Sequence, residues 1–362
     1  MKILLLSNYY PEHIGGIETV AANLCAAYRR AGHQVTWMAA EVADRPHAGD
    51  SPLRAWNFTE RRLGFPYPLP APGAFRAVRR AVERTEVIHL HDSLYAANAR
   101  AFLASRRLRR PVLLTQHVGP IPFRNPLLRA VQGAAFATLG RLLLTGSEQV
   151  TFVSREVMSH FTGRLRFRRP PQLVANGVDT DLFRPAAAPD RAALRERLGV
   201  SPSRLLVLFA GRFVHKKGLD LVRAAAAAAP DWEFLLAGRS GEVDPQAWNL
   251  PNVRALPAQP QDALRDLYVA SDVLLLPSTG EGFPVTVQEA MSSGTPAVVS
   301  SALAAEFPGP GLVGSRLDPE CLRAAVETAV GSDRGAVAEF ARSTWSLSAS
   351  ADRYLELMRA IS

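Results

Sequence analysis

Short apolar runs of strand length alternate with helical stretches along the whole 362-residue chain, and the alternation stops once and then restarts. KILLLSN (2–8), HQVTWMAA (33–40), VIHLHDS (87–93), PVLLTQHV (111–118) and QVTFVS (149–154) read as the strands of a first series. A rhythm of strand, helix, strand requires crossover connections, so the strands run parallel and helices cover both faces of the sheet. QLVANGVDTDLFRPAAAPD (172–190) breaks the rhythm with Asn-Gly, proline and an Ala/Pro run. RLLVLFAG (204–211), EFLLAG (233–238), NVRAL (252–256), DVLLLPS (272–278) and PAVVSS (296–301) then resume it. The pattern predicts an α/β protein of two doubly wound domains, 1–183 and 184–346, facing a central cleft. The tail 347–362 carries Tyr354, Leu357, Met358 and Ile361 at helical spacing and is expected to pack back on the first domain.

Ligands of such sheets bind beyond the carboxyl ends of the strands, so the residues that follow strands are the candidates for chemistry. After the first strand, SNYYPEHIGGIETV brings Gly15 and Gly16 to a helix start. Glycine lets a ligand approach the backbone, and a helix N-terminus offers unpaired N–H groups to an anion. A plain turn would use the same pair. After strand 204–210, GRFVHKKGL sets Arg212 and Lys217 five residues apart on one loop. Two cations there can clamp a diphosphate, and a solvated basic loop is the other reading the residues leave open.

After strand 272–278 comes EGFPVTVQEAMSSGTPAVVSS (281–301). Gly282, Phe283, Pro284 and Val285 form the entry to a helix expected to run from Pro284 to just before Gly294. Glu289, a turn and a half in, is placed to accept hydrogen bonds from a vicinal diol such as a ribose. Glu281, at the mouth of the helix, is placed to touch a second polyol. His117 ends its strand and is expected to face the cleft from the other domain, while His89 and His91 alternate and so share one sheet face. His215 has no evident partner in the sequence.

Other chemistries find little support. No His/Cys cluster has metal-ligand spacing, and the Asp179-x-Asp181 pair falls in a turn between the domains rather than after a strand. No G-x-G-x-x-G with a downstream acid and no G-x-x-x-x-G-K-[ST] is present. Cys25 and Cys321, far apart, fit a reducing compartment. The start, MKILLLSNYYPE, is too short in apolar length for a signal peptide and reads as a first strand. In 127–145, LLRAVQGAAFATLGRLLLT, Arg129 and Arg141 leave 11 uncharged residues between them, short of the ~20 needed to span a bilayer. A buried helix is the plainer expectation there and an interfacial one the sharper.

Charge is uneven. Residues 1–181 hold 24 Lys and Arg against 13 Asp and Glu, a net +11, whereas residues 182–362 hold 18 against 20, a net −2. Arginine runs at 106–110 and 164–169 suit solvated faces or an anionic surface, either acidic lipid or nucleic acid.

Taken in order, PEHIGGIETVAANLCAAYRRAGHQVT, VIHLHDS, TQHVG, NGVDTDLFRP, GRFVHKKGLD and EGFPVTVQEAMSSGTPAVVS resemble glycosyltransferase family 4, the retaining, nucleotide-sugar-dependent enzymes of GT-B fold. The resemblance covers nearly the whole chain. Its most specific mark is Glu281 and Glu289, which reproduce the family's Glu-x7-Glu spacing ahead of Gly-Thr-Pro. It implies two Rossmann-like domains, the first for the acceptor and the second for the donor. By the same likeness Arg212 and Lys217 match the positions that bind the donor diphosphate, and Glu289 the ribose-binding glutamate. Glu281 matches the glutamate that contacts the transferred sugar, Gly16 the glycine beside the donor phosphate, and His117 the histidine near the reacting sugar. Asn176 and Asp179 fall in the interdomain signature. One loop departs from the pattern: SSALAAEFPGPG carries alanines at 302, 304 and 305 where members have Gly-Gly and then Pro-Glu.

The expectation is therefore a metal-independent transfer of a hexosyl unit from a nucleoside diphosphate sugar to a glycan or lipid-linked acceptor, with no cofactor. The acceptor is expected at the inner membrane surface, met by a cytoplasmic or peripheral protein through its basic half. A nucleotide-sugar epimerase of the same architecture is the alternative enzyme. A basic nucleic-acid-binding protein is the non-catalytic alternative, and the sparse aromatic-basic interleaving counts against it, so no nucleic acid is expected as a partner.

Overall fold

The computed structural model describes residues 1–11, 16–41, 51–56, 68–120, 125–279 and 284–362. The chain divides into two compact units, Met1–Gly177 with Leu347–Ser362, and Val178–Ser346. Each holds one sheet, with helices in most of the described connections between its strands.

In the first unit the strands are β1 (Lys2–Tyr9), β2 (Gln34–Glu41), β3 (Leu53–Trp56), β4 (Leu69–Pro70), β5 (Val87–His91), β6 (Val112–Gln116), β7 (Gln149–Phe152) and β8 (Gln172–Leu173). Their order across the sheet is β4-β3-β2-β1-β5-β6-β7-β8. All neighbours are parallel except β3 and β4. Strands β5, β6 and β7 are buried along their whole length, the polar His89, His91, Thr115, Gln116, Gln149 and Thr151 included. Winding reverses direction between β1 and β5.

In the second unit the strands are β9 (Leu206–Ala210), β10 (Glu233–Ala237), β11 (Val253–Leu256), β12 (Val273–Leu276), β13 (Ala297–Ser300) and β14 (Leu312–Ser315). They are ordered β11-β10-β9-β12-β13-β14 and all parallel. Winding reverses between β9 and β12. In an open parallel sheet such a reversal leaves a crevice beyond the strand ends, because the crossovers on either side lead to opposite faces.

The units part at 177/178 rather than at the expected 183/184. Residues 178–183 belong with the second sheet because the Val178 amide donates to the Trp345 carbonyl at 2.8 Å. Phe183, fully buried, meets Tyr268 edge-on with ring centroids 6.0 Å apart. The closing helix Leu347–Ile361 lies in the first unit, where the Ser350 hydroxyl donates to the Ala175 carbonyl and buried Tyr354 lies against His89.

The apolar segment 127–145 corrects an expectation. It lies in a helical stretch, Pro126–Gly146, of 21 residues, with mean hydropathy 1.3 and only 22% of its most apolar 18-residue window buried. By length and composition alone it could cross a membrane. Asn125 caps its start by accepting from the Leu127 amide, and a π-helical turn, Phe136–Gly140, interrupts it. The turn keeps Gly140 buried while Leu127, Val131 and Leu142 remain exposed.

Candidate functional site

The reversal in the second sheet brings two of the predicted segments together. Beyond β9, Gly211 and the loop that follows run directly past the end of β10. A side-chain carbon on Gly238 would fall 1.8 Å from the Gly211 carbonyl oxygen, so only glycine permits that approach. The Phe213 amide donates to the Arg239 carbonyl at 2.9 Å, and the His215 amide to the Glu242 carboxylate at 3.3 Å. His215 has a partner after all: its Nδ1 lies 2.8 Å from Asp220 Oδ2, in the first turn of the next helix. His215–Lys217 form a 3-10 turn closed by Gly218 at φ +78°. A side chain there would strike the Pro277 carbonyl oxygen at 2.2 Å.

That close pass joins the basic loop to the end of β12. The Thr279 amide donates to the Lys216 carbonyl at 3.0 Å. Lys217 is half-buried with its stem over Gly211, and Arg212 is exposed on the same loop. Two cationic residues and the end of the neighbouring strand thereby lie together at the carboxyl ends of the two central strands. Such an arrangement can bind a diphosphate, since charge-assisted bonds to phosphate oxygens are about twice as strong as neutral ones.

The helix after β12 is Val285–Ser292, with Pro284 as its N-cap, one residue later than expected. Proline fits because the first amides of a helix have no intrahelical acceptor. Gly280, Glu281, Gly282 and Phe283 lie outside the described residues, as does Gly15. Glu289 is 5% exposed, on a helix that packs against β12, β13 and the helix Gln261–Ala270. The Tyr268 hydroxyl donates to its Oε2 at 2.9 Å. Burial pushes the Glu289 carboxyl up to about 7, and the Tyr268 bond pulls in the opposite direction. Tyr268 in turn is pushed well above its ordinary value, first by burial and then by the Glu289 charge. A buried carboxylate with one oxygen already engaged can accept a hydroxyl on the other.

Two further residues escaped the sequence reading. Ser278, beyond the end of β12, and Thr286, in the first turn of the helix, each carry a buried hydroxyl oxygen without a partner among the described residues. Hydroxyls that close a strand or open a helix are too common to stand out in a sequence. The departing loop begins as the short helix Ser301–Ala304, which holds Ala302 and Ala304, with Ser300 as its N-cap and Ala305 as its C-cap.

In the first unit, Gly16 opens the helix Gly16–Arg30, with nothing within 4 Å of where a side chain would grow. His117 lies just past β6 and is 4% exposed. Its amide donates to Asp92 Oδ1 at 2.8 Å, and its Nε2 lies 2.8 Å from His91 Nδ1, the rings stacked at 5.0 Å. His89 and His91 do share one face, 4.5 Å apart. His89 Nδ1 meets the Tyr28 hydroxyl and its Nε2 the Thr115 hydroxyl. Burial pushes His89 and His117 down to about 3, and His91 well below its ordinary value, so all three rings are neutral near pH 7. Asp92, at φ +64°, is pushed up to about 7 by burial against the pull of its amide bonds.

Asp179 accepts from the Asp181 and Leu182 amides, so the Asp-x-Asp pair is a turn that closes on itself. Among the described residues no group of three or more His, Cys, Asp or Glu could hold a metal ion.

Two family models match: Glycosyltransferase Family 4 over residues 14–182 and Glycosyl transferases group 1 over residues 190–306. A D-inositol 3-phosphate glycosyltransferase of Mycobacterium sp. (strain KMS) is 30% identical over 262 residues, covering 64% of this chain and 56% of that protein. The protein of the same description from Segniliparus rotundus is 37% identical over 142 residues, covering 35% and 31%. The chain thus spans little more than half the length of the curated relatives it matches. Among solved structures, Anabaena Alr3699/HepE in complex with UDP and glucose superposes with a TM-score of 0.77 at 19% identity, covering 99% of this chain and 100% of that one. WaaG, a glycosyltransferase involved in lipopolysaccharide biosynthesis, gives 0.70 at 15% identity, covering 99% of each. At these identities the likeness establishes the fold, two Rossmann-like units of GT-B type.

Proposed function

This chain belongs to the family 4 and group 1 glycosyltransferases, and we propose that it moves a hexosyl unit from a nucleoside diphosphate sugar to a hydroxyl of a glycan or lipid-linked acceptor, retaining the anomeric configuration. The observation that carries the reading is the β9/β12 reversal, where Lys217 and Arg212 share a loop bonded to the end of β12 and the helix beyond it buries Glu289. In this assignment Arg212, Lys217 and the amides of the helix beginning at Val285 hold the diphosphate. Glu289 takes the ribose diol, and Glu281 takes the transferred sugar. The first unit serves the acceptor, with Gly16 and His117 as its assigned residues.

In the reaction the bond between the anomeric carbon and the diphosphate oxygen breaks, and a bond from that carbon to the acceptor oxygen forms on the same face. The acceptor proton passes to the leaving diphosphate. The protein contributes positioning and positive charge where negative charge develops. Removing one such donor costs on the order of 10²–10³ in turnover, which is the expected result for Lys217→Ala. Incubation with nucleoside diphosphate sugars, with and without glycan or lipid-linked acceptors, tests the reading. Acceptor-dependent release of nucleoside diphosphate with a retained linkage supports it, and sugar inversion without any acceptor contradicts it.

The acceptor side meets an anionic bilayer, in our reading, as a peripheral contact at the inner face of the plasma membrane. Of the nine large apolar side chains exposed among the described residues, eight belong to the first unit, the unit that also carries the positive excess. Leu127, Val131 and Leu142 on the exposed helix, beside Arg129 and Arg141, have the composition of an interfacial contact. Sedimentation with anionic vesicles and not with neutral ones is expected, and equal binding to both would defeat it.

A further inference from the structure

The histidines of the first unit are more ordered than a single active-site imidazole requires. His91 Nδ1 and His117 Nε2 lie 2.8 Å apart, so one proton sits between them and one ring must donate while the other accepts. The choice is decided at the far side of His91. Its Nε2 is buried and has no hydrogen-bond partner among the described residues. If that nitrogen carried the proton of neutral His91, an N–H donor would be buried unpaired, which folded proteins rarely tolerate, whereas an unpaired acceptor is met more often. The proton of His91 therefore belongs on Nδ1, directed at His117.

We propose that His91 is a positioning residue that donates from Nδ1 to Nε2 of His117 and so fixes His117 as the Nδ1–H tautomer, a hydrogen-bond donor toward its ligand rather than a base. Burial supports the assignment, because both rings are held neutral and each therefore carries a single proton. The backbone makes the geometry rigid. Asn98 Nδ2 donates to the carbonyls of both His91, at 2.7 Å, and Asp92, at 2.8 Å. The Asp92 carboxylate accepts the amides of His117 and Val118. The backbone at both histidines is thus held by one asparagine and one aspartate. Nδ1 of His117 is its one nitrogen not engaged by another described residue. Presented as N–H, it suits a sugar hydroxyl oxygen or a developing oxyanion and cannot remove a proton from an acceptor. That last step rests on the transferase reading, whereas the tautomer does not.

Long-range proton–nitrogen correlation spectra of the full chain, labelled with 15N-histidine, report the tautomer without any substrate. The expected result near pH 7 is a protonated Nδ1 and an unprotonated Nε2 on both rings, with the opposite form of His117 outnumbered roughly 10 to 1 or more, given the usual cost of a buried unpaired donor. His91→Asn, whose amide nitrogen falls near the place of Nδ1, should keep His117 in that form. A wild-type protein in which His117 is protonated at Nε2 or is an imidazolium overturns the proposal, whether or not any variant folds. If the spectra agree but no nucleotide sugar is turned over, the tautomer stands and the transferase reading falls.

Discussion

Glu289 makes nucleoside diphosphate binding depend on pH, and the size of the effect follows from its burial. Its carboxyl is pushed up to about 7. Only the ionised form accepts freely from two ribose hydroxyls, so affinity tracks the ionised fraction, which climbs from about one eleventh at pH 6 to about ten elevenths at pH 8. UDP should therefore bind about tenfold more tightly at pH 8 than at pH 6, a gain of about 1.4 kcal/mol. Calorimetry of UDP alongside 2′,3′-dideoxy-UDP isolates the term, because ionisation of the phosphates is common to both and cancels in their ratio. Glu289→Gln should flatten that ratio, and Tyr268→Phe should move its midpoint upward, since the Tyr268 hydroxyl holds the carboxyl down. A ratio independent of pH in the native protein would refute the reasoning. The same shift sets a stability sign. Because the folded value lies above the ordinary 4.5, the contribution of Glu289 is full below about 4.5 and is lost as pH rises through about 7, in total about 3 kcal/mol.

Three further outcomes are expected. Asp272 accepts from Arg191, from Arg195 Nη1 at 3.0 Å and from the Leu206 amide at 2.7 Å, and Arg195 is 6% exposed. Asp272→Ala should cost the second unit about 3–5 kcal/mol in urea titration by stranding that guanidinium, and a loss below about 1 kcal/mol would contradict it. Gly218→Ala places a methyl group against the Pro277 carbonyl at an unfavourable φ. It should cost about 2 kcal/mol or more and weaken UDP binding with it, read by thermal shift and calorimetry. An alanine variant as stable as the native protein would show that the loop is not pinned there. Lowering the pH from 7 to 5 charges His89 and His117 in the unfolded chain but not in the folded one. Since folded values of about 3 lie below the ordinary 6.5, each contribution is full above about 6.5 and falls by about 2 kcal/mol at pH 5. Phenylalanine at position 89 should remove its share of that acid sensitivity.

The strands were legible because a parallel sheet buries both faces, so β1, β9 and β12 are written as apolar runs that few other elements would carry. The residues after them were legible for the same reason. What could not be read was anything settled by a second element. Tyr268 supports Glu289 from a helix 21 residues upstream, and nothing in LYVASDV marks that tyrosine. His215 and Asp220 meet only because Gly218 turns the chain between them. LVGS, the future β14, is four residues with a glycine and follows a Pro/Gly-rich stretch, too short a signal to separate from loop. The apolar helix Pro126–Gly146 has the same composition whether covered or exposed, so its exposure could not be predicted from residues alone.

A crystal structure of the chain with UDP bound addresses the assignment at the β9/β12 reversal without any assumption about sugar or acceptor. Diphosphate oxygens are expected within hydrogen-bond distance of Lys217 Nζ and the Arg212 guanidinium, with a ribose hydroxyl on the oxygen of Glu289 that Tyr268 leaves open. UDP seated on the first unit, or held in the second without Lys217 and Glu289, would contradict it.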